Sequence, residues 1–154
     1  MRKKLNIALL AFIVGTSGTG IGLGLYFWLN PLGGANEALE TGTVLLNGTL
    51  VEIDDSHYGR GTVQIVSFSN GYRQLQFIDV KIANGPDLFV YLSDKESFSG
   101  IYDTPGAFID LRYLPHNAGN FSISISNGIS LSNVNSVLIW CRQFSVVFTY
   151  ATLI

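Results

Sequence analysis

Apolar and polar positions follow two different rhythms along this chain. Residues 5–29 hold no charged side chain. That run of twenty-five residues exceeds the roughly 20 a helix needs to cross a hydrocarbon layer about 30 Å thick. Beyond residue 42 the period falls to two. The stretches TVQIVSF (62–68) and YRQLQFIDVKI (72–82) flank Ser69, Asn70 and Gly71. In the second stretch Leu75, Phe77 and, across an expected bulge, Val80 and Ile82 form one apolar set, the mark of a strand with one buried face. LFVYL (88–92) is apolar on both faces and reads as a central strand. Residues 107–114 and 121–125 alternate again, and residues 136–140 and 145–154 supply the closing strands. Asn47 and Gly48, between TVLL and TLVEI, predict a tight hairpin turn. No helical period follows residue 42. The expected fold is all-β, an antiparallel β-sandwich behind one N-terminal transmembrane helix, with a closed barrel as second choice.

The chain divides accordingly. Residues 1–29 read as a membrane anchor or a signal peptide, residues 30–42 as a linker, and residues 43–154 as the β domain. Gly33 and Ala35 offer a small-x-small pair for cleavage. Arg2, Lys3 and Lys4 precede the apolar run, and no further Lys or Arg occurs before Arg60. The positive-inside rule then places the C-terminal domain outside the cytoplasm, at the cell surface or in a periplasm. Tyr26, Phe27 and Trp28 suit the outer membrane interface.

Composition narrows the function classes. With 154 residues, 47% of them hydrophobic, the chain can bury one core. Beyond the N-terminal cluster, six Lys and Arg face eleven Asp and Glu. No basic stripe tracks phosphates, which argues against nucleic acid as a partner. A single cysteine, Cys141, precludes an internal disulfide, so the domain depends on its core.

Cys141 is also the leading candidate for chemistry. Strand alternation puts Val137, Ile139 and Cys141 on one face and Leu138, Trp140 and Arg142 on the other. A free cysteine in such a strand is most simply a buried core residue. A cation turned toward the sulfur would favour the thiolate, and a bulge at Arg142 would be needed to supply one. His57, in DDSHYGRG, and His116, in LPHNAGN, are the only histidines. A blue-copper arrangement fails, because no His or Met follows Cys141 and the only methionine is Met1. Asp54 and Asp55 point to opposite faces if extended, a poor geometry for paired acid–base work. Residues 84–87, NGPD, predict a rigid corner: Pro86 drives Gly85 out of the helical region, and Asp87 caps the turn. A site could be built beside it. Asn47 and Asn120 begin glycosylation triplets.

Three blocks carry a family resemblance. They are GTLVEIDDSHYGRGTVQI, with His57, Gly59 and Gly61; the Gly-Pro-Asp-Leu corner and its apolar strand; and SVLIWC followed by FSVVFTYATL. Together they resemble the DM-thirteen domain, the DOMON-associated electron-transfer domain. The match runs from about Gly48 to Leu153. The chain departs at Thr149 and Tyr150, where a small residue is usual, and at Ser126, where a proline is common. The resemblance implies a β-sandwich outside the cytoplasm and a redox role centred on Cys141, which matches the hallmark cysteine. His57, Asp87 and Trp140 are then candidate binding residues around it. Metal and haem both stay open as cofactors. A lone thiol has no resolving cysteine, so a redox cycle calls for an envelope protein partner. The competing expectation is a non-catalytic surface or binding module with Cys141 buried and inert. A stand-alone enzyme is the weaker reading, since no local nucleophile signature surrounds Cys141.

Overall fold

Nine strands follow one another in the computed structural model, which describes residues 32–154. They are β1 (Gly34–Asn36), β2 (Thr43–Thr49), β3 (Gly59–Ser67), β4 (Arg73–Ile82), β5 (Leu88–Ser93), β6 (Phe108–Tyr113), β7 (Ala118–Ile125), β8 (Ser136–Cys141) and β9 (Val146–Thr152). One sheet has the order β1-β7-β4-β3-β2 and the other β6-β5-β8-β9. All pairings are antiparallel except that of β1 with β7. No helix occurs among the described residues. The expected anchor, residues 1–29, lies outside them.

The period-two pattern explains the layering. Val63, Ile65, Leu75, Phe77, Phe121 and Ile123 of the first sheet share one buried cluster with Leu88, Val90, Leu92, Val137, Ile139 and Cys141 of the second. The two sheets therefore enclose a common core. Phe77 and Phe121 are register partners on β4 and β7, and their rings stack 4.4 Å apart at 13°. The β3–β4 hairpin turns where expected: Phe68 N–H donates to the Tyr72 carbonyl and Gly71 N–H to that of Phe68, both at 2.9 Å. The expected bulge in β4 is present between Phe77 and Val80. Asp79 sits there at φ 48°, and its N–H donates to Asn120 Oδ1 at 2.7 Å. This bond engages the side chain of one glycosylation triplet.

Two segments differ from expectation. Asn47 and Gly48 do not turn the chain, because β2 runs straight through them, paired with Gln64 and Val63 of β3. Asn47 also exchanges backbone hydrogen bonds with Ile154, at 3.1 and 3.0 Å, which brings β2 against the end of β9. A Cβ at position 48 would run into the Thr152 carbonyl. The glycine thus serves close approach rather than a turn. Within the stretch read as linker, β1 adds a short parallel edge strand beside β7, and Leu32 and Ala35 pack against the core.

Burial of the aromatic pair sets the cost of its removal. Phe121→Ala leaves a cavity between the sheets at a fully buried position and is expected to destabilise the domain by about 3–5 kcal/mol. Guanidinium unfolding of wild type and variant measures it; a loss below about 1 kcal/mol would contradict the packing described.

Candidate functional site

The site grows from the corner at residues 84–87. Asp87 adopts φ 57°, a left-handed conformation that turns the chain sharply into β5. Arg142 N–H donates to the Asp87 carbonyl at 3.0 Å and fastens the corner to the end of β8. Gly85 lies so close to the Phe148 ring that a Cβ there would overlap the ring carbons. Only glycine allows this approach. The Pro86 carbonyl consequently sits over the core, where it accepts a hydrogen bond from Cys141 Sγ at 3.0 Å.

Cys141 is the last residue of β8, registered opposite Leu88 of β5 and Val146 of β9. It is 0% exposed. Burial pushes its thiol pKa above the ordinary value. The backbone N–H groups of Phe144 and Gln143, in the turn to β9, pull the other way by donating toward the sulfur, while the Asp87 carboxylate adds to the rise. At neutral pH the sulfur is a thiol, consistent with its role as donor to Pro86. Tyr113 is raised too, by burial first and then by Asp87 and Cys141. Asp87 and Cys141 thus act on a common neighbour.

On the solvent side of Pro86 lies a cleft of about 490 Å³. Phe148, Val146, Pro86 and Ile101 form its apolar walls, and His57 and Asn84 are among its polar groups. The His57 ring meets Phe148 edge-on at 4.8 Å and 78°. Its Nδ1 lies 2.8 Å from Asp54 Oδ1, and this bond is the main reason the Asp54 carboxyl titrates below its ordinary value. A carboxylate only accepts, so Nδ1 carries the proton and Nε2 is the free acceptor of the neutral ring. The wall residues Ile101 and Tyr102 belong to a loop tied down by Asp103, which accepts from Lys95 Nζ at 2.6 Å, Thr104 N–H at 2.7 Å and Ser99 N–H at 2.9 Å. The Lys95 ammonium, helped by those N–H groups, holds the Asp103 carboxyl far below the usual range.

The residues singled out by sequence are distributed unevenly. Cys141 and Asp87 meet at the corner, and His57 lines the cleft in front of it. Trp140 lies on the opposite face of the second sheet, packed with Tyr91, Phe98, Leu138 and Val147. Arg142 also turns to that outer face. Its guanidinium stands 3.5 Å from the Phe89 ring centroid and pairs with Asp110, away from the sulfur. His116 packs edge-on against Phe121, 5.4 Å between centroids, and does not line the cleft. Sequence reasoning missed Phe148 and the 101–102 loop, because chain distance hides them; the NGPD corner, which includes Asn84, was the one local signal.

A metal centre does not fit these residues. Among the described residues no three His, Cys, Asp or Glu side chains come together, and the Cys141 sulfur is already engaged with a carbonyl inside the core. For haem, His57 and Tyr102 are the cleft side chains of axial-ligand type among the described residues.

The raised thiol pKa has a definite linkage sign. Above about pH 9, the ordinary value for the thiol, the unfolded chain releases this proton while the folded chain keeps it, so stability falls as pH rises. Guanidinium midpoints at pH 7 and pH 10 are expected to drop further for wild type than for Cys141→Ala, with Tyr113 contributing the remainder in the same direction. Equal drops would contradict the buried thiol. Asp103 has the opposite sign: its contribution is present above the ordinary carboxyl pKa near 3.8 and is lost as pH falls below it. Asp103→Asn is expected to speed amide exchange in the 99–104 loop at pH 7 and to remove much of its acid sensitivity.

No curated protein and no solved structure matches the chain. A family model described as electron transfer DM13 matches residues 50–153, a span that includes the corner, His57 and Cys141. The chain belongs to the electron transfer DM13 family.

Proposed function

We propose that this chain is a membrane-anchored domain outside the cytoplasm that assists electron transfer through Cys141. The uncharged run at residues 5–29 and the cationic cluster before it support the anchor and its orientation. The family supports a redox-related role. The observation that carries the reading is the position of the sulfur: it bonds the carbonyl of Pro86, a residue that itself lines an open cleft. Displacement of residues 85–87 would expose Cys141 without opening the sheets. The N–H groups of Gln143 and Phe144 would then stabilise the thiolate once burial no longer opposes it. That thiolate attacks a disulfide of a partner envelope protein; a sulfur–sulfur bond forms between Cys141 and the partner, the second partner sulfur leaves as thiolate, and the Cys141 proton goes to solvent. The partner supplies the resolving thiol this chain lacks.

The second reading, a non-catalytic binding or surface module with an inert cysteine, is favoured by complete burial and the raised thiol pKa. Oxidised glutathione separates the two. The full chain in detergent micelles is expected to gain one glutathione on Cys141 under native conditions, read by intact mass. Gly85→Ala, which forces the corner off Phe148, is expected to speed the reaction about tenfold, the effect of a modest overpacking strain. An adduct that forms only when the domain is unfolded would sink the redox proposal and leave the inert module.

A further inference from the structure

The cleft in front of Pro86 has a chemistry of its own that the thiol does not use. Among the described residues that line it there is no Lys, Arg, Asp or Glu, which favours an uncharged occupant. Its walls are apolar and aromatic, and at the rim Tyr102 and Phe144 are 85% and 56% exposed. Exposed rings at the mouth of an apolar cleft favour a flat ring as occupant. The volume of about 490 Å³ falls in the range of small-ligand sites, about 300–1,000 Å³.

Of the four polar side chains that line the cleft, Ser56, His57, Asn84 and Tyr102, two point to the kind of ring. With Nδ1 committed to Asp54, His57 offers Nε2 as an acceptor, and among the described residues Nε2 has no partner. Asn84 Oδ1 accepts from Asn117 Nδ2 at 2.6 Å, which assigns the Asn84 amide orientation and leaves its NH2 group as a donor with no partner among the described residues. The cleft therefore offers one acceptor and one donor beside the hydroxyls of Ser56 and Tyr102, each of which can do either. A hydroxyl satisfies both kinds of group, since it donates one hydrogen bond and accepts others. We infer that this cleft binds a small phenolic ring of the hydroquinone class, its hydroxyl donating to His57 Nε2 and a ring oxygen accepting from the Asn84 amide. A quinone lacks the O–H that Nε2 requires, so the reduced ring binds better than the oxidised one. The inference rests on the redox reading only for its choice of a redox-active ring; binding itself needs no thiol chemistry.

The test uses the full chain in detergent micelles, labelled with ¹⁵N in its two histidines and titrated with 2-methylhydroquinone under argon. His57 Nε2 is expected to shift to saturation while His116, outside the cleft, stays still. The corresponding quinone is expected to bind about tenfold more weakly, the effect of one lost hydrogen bond, toluene, which loses both, more weakly still, and Asn84→Leu to weaken hydroquinone binding by about the same factor as the quinone. Cys141→Ala is expected to bind as wild type does, so that binding survives even if the cysteine is inert. No shift at His57, equal shifts at both histidines, or equal binding of toluene would overturn the inference; glutathione exchange at Cys141 would then stand or fall on its own.

Discussion

The close contact between Gly85 and the Phe148 ring is the constraint on which the site depends. It brings the 84–87 corner onto the core at the end of β8 and places the Pro86 carbonyl over the Cys141 sulfur. The same ring makes an edge-on contact with His57. One phenylalanine thus positions both the cover of the thiol and the imidazole of the cleft. A side chain at position 85 would separate these elements, and the left-handed Asp87 that follows leaves the corner little freedom to adjust.

Much of this was legible from side-chain rhythm, and the remainder was not for identifiable reasons. The β3–β4 hairpin, the bulge before Val80 and the inward face of Val137, Ile139 and Cys141 all follow from period-two alternation, which is a local property. Asn47 and Gly48 carry a strong turn signal, yet they extend a strand because the β9 carbonyl of Thr152 approaches that glycine from more than a hundred residues away. β1 escapes notice because GAN is too short to show an apolar period, and Ala35 is its one side chain packed against the core. Trp140 adjoins Cys141 in sequence and faces away from it, as alternation requires. The cleft draws His57, Asn84, Ile101 and Phe148 from four separate segments. No spacing in the chain reports such a meeting; the Gly85 and Pro86 pair marks only where it occurs.

The arrangement reconciles two properties of the cysteine that seem opposed. Burial keeps the resting thiol protonated and shielded from adventitious oxidants, while the N–H groups of the following turn are already aimed at the sulfur. On the proposed reading, reactivity is set by whether the corner moves, and less by the thiol's own acidity. The cleft beyond Pro86 belongs to the same design, because an occupant there lies against the segment that must be displaced. Asp103, by holding the 99–104 loop, fixes the opposite wall.

The central claim is that Cys141 is reached by local movement of the corner within a folded sandwich. Its most direct test is the rate of Cys141 modification by a small thiol reagent, followed across guanidinium concentrations below the unfolding transition. Local opening exposes little surface, so the account predicts a rate nearly independent of denaturant there and faster than global unfolding allows. A rate that rises with the full denaturant dependence of global unfolding at every concentration would contradict it.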